Sequence, residues 1–439
     1  MRSDQQQAIN RLAGTSATAF LCAVLCVYPL YIDKFSNLGV TKFTGCFTLF
    51  LLFLLWLVAC TAIGARAPRP RNANAGRDVT LWGVLAFAGT SLISTFTSLS
   101  PTASTWGLGG YYGGLMLVLF TAAGYWAVRS YLDLENLDFV FWVLGITTSI
   151  VAVLYVLNIF NIDLIGAYAD TAVVERAQFF STLGQKDFNG CFFSVALPIV
   201  FYQFLNAKDT RTAVWTGIPA AFGALALAVV DSEALALGIG AAVMVLVCHK
   251  NFTTRHLRRA ALISAAFFGW AAWMHYMRAS VYTQGGTALL AKLGAWQVAL
   301  PCMAASLLLW LVLFVLARKG IAAQAPLYLP GRGITIAVLA VGALAFVLAN
   351  AMPNLPLPES LHNLLVFNDD WGTYRGVAWR AAFGTWADGS LLRKIVGIGP
   401  GMMHTAVAAW AGDAMTARMA TFYAAHNEYL EQLLTTGIL

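Results

Sequence analysis

The chain has 439 residues, 59% hydrophobic and 11% charged, with a formal net charge of +7, a pI near 9.0 and a mean hydropathy of +0.70. Soluble domains carry roughly 45–50% apolar and about 25% charged residues, so this chain holds too much apolar surface for one soluble core and too few charges to dissolve it. Composition therefore argues against a soluble enzyme, a disordered protein and a fibrous repeat. It also argues against nucleic acid as a partner, because the basic residues form short clusters between apolar runs rather than one patch.

A membrane helix needs about 20 mostly apolar residues. Eleven such runs lie near 16–32, 43–64, 79–98, 111–129, 138–160, 188–206, 212–230, 233–249, 260–277, 294–317 and 333–351. The first has the length of a signal-peptide core. Tyr28-Pro29 and Asp33-Lys34 follow it instead of a small-residue cleavage site, which favours an uncleaved helix. A twelfth helix is expected to begin near His426. Only 13 residues follow His426, too few for a bilayer of about 30 Å at 1.5 Å per residue, so this helix is expected to run on past Leu439. The fold class expected is thus an all-α polytopic membrane protein of about 12 helices, the last truncated.

Lysine and arginine favour the cytoplasmic side. Sixteen fall on one set of loops: Arg2, Arg11, Arg66, Arg69, Arg71, Arg77, Arg129, Lys208, Arg211, Lys250, Arg255, Arg258, Arg259, Arg318, Lys319 and Arg332. Six fall on the other: Lys34, Lys42, Arg176, Lys186, Arg278 and Lys292. This bias predicts a cytoplasmic N-terminus. It places two long segments outside, one near 161–187 and one near 352–425. The second keeps Trp371, Trp379, Trp386, Trp410 and Phe422 at partly helical spacing, as a folded subdomain would. The expected organisation is a membrane domain over 1–351, an outer subdomain over 352–425 and the start of a final helix over 426–439. The seven cysteines, Cys22, Cys26, Cys46, Cys60, Cys191, Cys248 and Cys302, all lie in or beside apolar runs. They read as packing residues, not as a disulfide or zinc framework. His249, His256, His275, His362 and His404 form no close pair, so no protein-held metal is expected.

Chemistry-bearing residues concentrate near the end of the chain. Tyr429, Leu430, Leu433 and Gly437 follow His426 at helical spacing, which would put His426 on the packed face at the mouth of the last helix. The positive end of a helix dipole disfavours imidazolium, and a neutral imidazole can take a proton from a hydroxyl. A boundary histidine that only caps the helix is the alternative. Glu428 is a second candidate base. Arg375 and Trp379 are spaced i, i+4, whereas Arg380 lies about 140° round a helix from Arg375. An arginine fork suits phosphate oxygens, and a cation stacked on Trp379 is the competing reading. Gly397-Ile398-Gly399-Pro400-Gly401 lacks the Lys-Ser/Thr of a phosphate loop and reads as a tight turn. In the earlier outer segment, Arg176 and Lys186 bracket Phe179 to Gly184 and could face anionic head groups. Asp231 and Glu233 sit in a short outer turn, where acids are functional candidates or simply interfacial.

These residues resemble a known family. His426-Asn427-x-Tyr429-Leu430, preceded by Arg375-x-x-x-Trp379 and Gly397-x-Gly399-x-Gly401, is similar to the O-antigen ligase and O-antigen polymerase family of bacterial membrane glycosyltransferases. Ser181-Thr182-Leu183-Gly184 with Phe188-Asn189 and Leu197-Pro198, and Tyr28-Pro29-Leu30-Tyr31, resemble the same family. The resemblance implies a C-type glycosyltransferase fold in the cytoplasmic membrane, with the active site facing outward and no metal or other cofactor. The donor it implies is an undecaprenyl-diphosphate-linked glycan, and the acceptor it implies is a hydroxyl of a glycan, a lipid or a protein. It implies His426 as the essential histidine and Arg375 as the arginine near the diphosphate. Arg380, Arg176, Lys186, Asn427 and Trp379 are further candidates for the diphosphate or the acceptor. Two departures stand out. Ser232-Glu233 replaces the Ser-Arg of many members, which leaves Glu233 as an alternative base, and Gly184-Gln185 replaces their Gly-Asn. A flippase for lipid-linked glycans is the main rival, but the spans are nearly free of ionisable residues and the polar investment lies in an outer loop. A peptidoglycan polymerase of the shape, elongation, division and sporulation group is a second alternative, against which the His426 motif argues.

Overall fold

The computed structural model describes residues 2–64, 79–108, 110–280, 292–321, 324–352, 355–417 and 422–438. The basic cluster Arg66, Arg69, Arg71 and Arg77 lies outside the described residues. Helices dominate: α1 (Arg2–Leu30), α2 (Leu38–Gly64), α3 (Val79–Phe96), α4 (Pro101–Trp106), α5 (Leu115–Tyr131), α6 (Leu137–Ile159), α7 (Lys186–Asn206), α8 (Thr210–Val229), α9 (Glu233–Cys248), α10 (Thr254–Ser280), α11 (Trp296–Arg318) and α12 (Tyr328–Ala351). Shorter helices follow: α13 (Glu359–Leu365), α14 (Trp371–Ala387), α15 (Leu391–Val396), α16 (Met403–Ala417) and α17 (Glu428–Thr435). Among the described residues the one sheet is the two-stranded hairpin β1 (Phe179–Phe180) and β2 (Gly184–Gln185).

Eight described helices are long and apolar enough to cross a bilayer, so the chain has the architecture of a multi-pass membrane protein. Each of the eleven apolar stretches carries a helix. Three fall outside the eight for physical reasons: α5 and α9 have only 17 and 16 residues, and α10 opens on Arg255, Arg258 and Arg259. Among the described residues the helix expected to begin near His426 is a short one. Helix α17 has eight residues, about 12 Å of rise, and it stops at Thr435. The N–H groups of Thr436 and Gly437 both return to the Gln432 carbonyl, at 2.8 and 3.1 Å, and Gly437 has φ +81°. That is a glycine-terminated helix end, which the apolar pattern alone does not reveal.

Contacts divide the chain into two compact units. The first comprises Met1–Ala17, Cys46–Leu132 and Leu339–Leu439; the second comprises Thr18–Gly45 and Asp133–Val338. Inside the first unit, the segment after α12 is hydrogen-bonded to α3 and to the turn that follows it. Arg393 Nη1 donates to the Thr97 carbonyl at 2.6 Å, and Ser94 Oγ donates to the Thr435 carbonyl at 2.5 Å.

In the second unit, α6, α7 and α8 pack around Val151, Tyr155, Phe193, Leu197, Leu225 and Val229. Glycines allow the closest approaches: a Cβ on Gly190 would fall 2.2 Å from Ser232 Oγ, and one on Gly238 would fall 2.5 Å from Ser194 Cβ. In the first unit, α14 and α16 meet through small and apolar residues, Ala378, Ala381 and Ala382 against Ala406 and Val407. The Gly397–Gly401 turn closes this unit. Gly397, Gly399 and Gly401 have φ of +75°, +108° and +71°, and the N–H groups of Ile398 and Gly399 donate to the Leu434 and Thr435 carbonyls at 3.1 and 2.9 Å. Those donors tie down the end of α17, as the tight-turn reading of this segment requires.

Candidate functional site

The residues around His426 are held by α14 and α17. Asn427 caps α17: its Oδ1 accepts the N–H groups of Tyr429 and Leu430 at 3.1 and 3.3 Å. His426 therefore lies before the cap, outside the helix, with φ +51° and an exposed side chain. This corrects the expected placement of His426 on the helix's packed face. The packed face of α17 runs through Leu430, Leu434 and Thr435, while Tyr429 is 90% exposed. The asparagine signal overrode the periodicity, because a side-chain oxygen that can satisfy the first free N–H groups sets where a helix starts.

What orders His426 is the peptide just before it. Trp379 Nε1 donates to the Ala425 carbonyl at 2.9 Å, and the Ala425 N–H donates to Glu431 Oε2 at 2.7 Å. Ala425 itself is fully buried. On the other side, the Phe422 ring meets the imidazole edge-on at 6.0 Å between centroids. Burial pushes the Glu431 carboxyl up to about 7, against the opposing pull of the Ala425 N–H and helped by the nearby Glu428. Glu431 was not singled out from the sequence. The signal it carries is a carboxylate in the first turn behind an asparagine cap, a position from which it can reach back to a free N–H. Glu428, the alternative base, is exposed and accepts from Gln432 Nε2 at 2.6 Å.

Arg375 and Trp379 both lie on α14, but its first turn is irregular: Gly372 and Tyr374 have φ of +60° and +70°. The alkyl chain of Arg375 runs over Gly372, where an added Cβ would lie 3.4 Å from Arg375 Cδ. The Trp379 ring packs against Trp371 and Phe367, with centroids 5.0 and 6.0 Å away. Trp379 is thus part of an aromatic cluster and a hydrogen-bond donor to the His426 segment. Arg380 pairs with Asp369. Both line an open cleft of about 520 Å³ with Trp410 and Asp413.

The second unit contributes a separate cationic cavity. Tyr155, Gln178, Gln185, Lys186, Asp231 and Arg278 line a volume of about 260 Å³. Lys186 Nζ lies 3.9 Å from Asp231 Oδ2, and Asp187 accepts from Ser232 Oγ at 2.9 Å. Arg278 Nε is buried and has no hydrogen-bond partner among the described residues. Sequence spacing gives Arg278 only as one of the outer cations, because its approach to this cavity depends on how α10 packs. Arg176 does not line the cavity. Its guanidinium stacks over Tyr168 at 5.5 Å and donates from Nε to the Thr171 carbonyl at 3.4 Å. Glu233 is exposed at the start of α9.

The Ser181-Thr182-Leu183-Gly184 segment connects Phe180 and Gln185, which line this cavity. Ser181 has φ +55°, and its N–H donates to Asn158 Oδ1 at 2.6 Å. Asn189, on α7, accepts from Ser181 Oγ at 2.6 Å and donates to the carbonyls of Phe180, Gly184 and Gln185 at 3.0–3.2 Å. One buried amide thus ties three carbonyls of the hairpin segment to α7. The Pro29 carbonyl accepts from Thr182 Oγ1 at 2.6 Å and from Lys42 Nζ at 2.8 Å. This joins the Tyr28–Tyr31 segment to the hairpin.

Among the described residues no group of three or more His, Cys, Asp or Glu side chains could hold a metal. Compared with protein families, curated proteins and solved structures, the chain has no match.

Proposed function

We propose that this chain is a glycosyltransferase of the O-antigen ligase and polymerase type, embedded in the bacterial cytoplasmic membrane with its active site facing outward. It transfers a glycan from an undecaprenyl-diphosphate carrier to an acceptor hydroxyl on a glycan, a lipid or a protein. The observation that carries this reading is His426: an exposed imidazole whose preceding peptide is held at both its N–H and its carbonyl, by Glu431 and Trp379. A side chain presented to solvent from a doubly anchored backbone suits a group that meets a diffusing acceptor.

In the proposed reaction the acceptor oxygen attacks the anomeric carbon and His426 takes the hydroxyl proton. The bond from that carbon to the diphosphate oxygen breaks, its electron pair leaves with the lipid diphosphate, and the anomeric carbon inverts. Negative charge grows on the leaving group, so preorganised cations act most strongly in the transition state. Arg375 is assigned to the diphosphate in the first unit. Lys186, in the second unit, lines a separate cationic cavity with Arg278. Asn427 is assigned to the cap of α17, and Arg380 and Arg176 are assigned to the contacts they make with Asp369 and Tyr168.

The test is to incubate the purified full chain in detergent with an undecaprenyl-diphosphate-linked glycan and a hydroxyl acceptor. A covalently transferred glycan and free lipid diphosphate are expected. Translocation of the lipid-linked glycan in vesicles, with no covalent change, would replace this reading with a flippase.

A further inference from the structure

Between Glu233 and Glu359 the chain contains no Asp or Glu, yet it holds nine Lys and Arg. Seven of these, Lys250, Arg255, Arg258, Arg259, Arg318, Lys319 and Arg332, gather at one end of the second unit. The packing that gathers them is explicit. The Thr254 N–H donates to the Ala325 carbonyl at 3.0 Å, and the Leu327 N–H donates to the Phe252 carbonyl at 2.9 Å. Arg332 Nε donates to the Cys248 carbonyl at 3.1 Å.

Four of the seven are engaged internally. Arg255 and Arg259 donate to the carbonyls of Ala207 and Leu205 at the end of α7, and Arg258 and Arg318 lie over the Phe314 ring. Lys250 is exposed and its ammonium has no partner among the described residues. Arg332 spends one donor on Cys248 and lies over Tyr328 at 5.2 Å, which leaves most of its fork to solvent.

Beside these two cations runs an apolar groove between α9 and α12, about 600 Å³ in volume. Val247 and Ile334 line its basic end, and Gly240 and Val338 line its far end. Seven residues of α9 separate Val247 from Gly240, about 10 Å along the helix. The helices touch at Gly331, where an added Cβ would fall 2.2 Å from the Val247 carbonyl oxygen. They then part, and an added Cβ on Gly240 would meet nothing within 4 Å.

We propose that this groove holds one acyl chain of an anionic phospholipid, with the head-group phosphate bound by Lys250 and Arg332. The groove has the apolar lining and length of a lipid-chain site, and it opens at cations; the one carboxylate on the two helices that form it, Glu233, begins α9 at the opposite end from those cations. A zwitterionic lipid brings its own cation to that end and leaves the surplus uncompensated. Phosphate oxygens suit the planar arginine fork, and anionic lipids favour such basic clusters beside membrane helices. This site is independent of the transfer reaction proposed above.

The full chain in mild detergent is titrated with phosphatidylglycerol or phosphatidylcholine of identical chains, and bound lipid is read by native mass spectrometry. Each cation facing an anionic lipid is worth roughly a fivefold factor, so phosphatidylglycerol is expected to bind about 30-fold more tightly. Lys250→Gln with Arg332→Gln should erase that preference. Gly240→Trp, which leaves every charge in place, should lower the occupancy of both lipids. Equal binding of the two lipids to the wild type overturns the proposal. So does phosphatidylglycerol occupancy that survives Gly240→Trp, an outcome readable even if the double variant does not fold.

Discussion

The carboxylate of Glu431 accepts the N–H of Ala425 at 2.7 Å, one residue before His426. Burial raises this carboxyl from 4.5 to about 7. A raised folded-state value means that the folded chain keeps a proton the unfolded chain has released. Stability linked to Glu431 is therefore complete below about pH 4.5 and is lost as pH rises through about 7. Glu431→Gln keeps an oxygen for the Ala425 N–H and removes the charge. The variant is expected to unfold like the wild type at pH 4 and to be more stable at pH 8, by on the order of 2–3 kcal/mol at most. Thermal unfolding in detergent at the two pH values checks this. A wild type equally stable at both would place that carboxylate in water.

The proposed phosphate arginine separates charge from shape. Arg375→Ala should lower transfer by a factor of about 10 to 150, the worth of one charge-assisted hydrogen bond. Arg375→Lys should recover part of the loss, since lysine retains the charge but not the fork. Normal transfer by a folded, inserted Arg375→Ala variant would make that arginine structural.

Gly399 has φ +108°, and an added Cβ would fall 2.5 Å from both Ser98 Oγ and Ser104 Oγ. Gly399→Ala is expected to destabilise the first unit by about 2 kcal/mol or more. By contrast, Gly342 lies within α12 and an added Cβ there meets nothing within 4 Å. Gly342→Ala should be neutral or stabilising by about 0.5–1 kcal/mol. Paired thermal melts distinguish the two, and equal melts would show that the glycine turn is not held against α3 and α4.

Orientation is testable without any assay of activity. Single cysteines at Asp370 or Asp413, in a background lacking the seven native cysteines, should react with a membrane-impermeant maleimide on intact spheroplasts. Reaction only after lysis would place α14 and α16 on the cytoplasmic side and remove the outward-facing chemistry.

The helices were legible in the sequence because an apolar run of membrane length has few other solutions. The turn character of Gly397–Gly401 was legible as well, since alternating glycines without a phosphate-loop lysine point to left-handed turns. The start of α17 was not. Periodicity put His426 on its packed face, but Asn427 takes the cap and leaves His426 outside. Arg380 and Arg176 read in the sequence as candidates for the diphosphate or the acceptor, and their partners Asp369 and Tyr168 become visible only once the chain is folded. Glu431 and Arg278 escaped notice for the reverse reason. Burial and a neighbouring cavity, which no spacing encodes, give them their interest.

The most direct test of the central claim is transfer by variants of His426. The side chain is exposed, so its replacement should leave folding intact, and asparagine tolerates the left-handed backbone found there. General-base help is worth roughly 10² to 10⁴ in rate. Turnover of His426→Asn and His426→Gln, measured on a lipid-linked glycan at saturating donor, should fall by about that factor while donor binding and protein level stay at wild-type values. Near-normal turnover by both variants would contradict the account, because neither amide can take a proton near neutral pH.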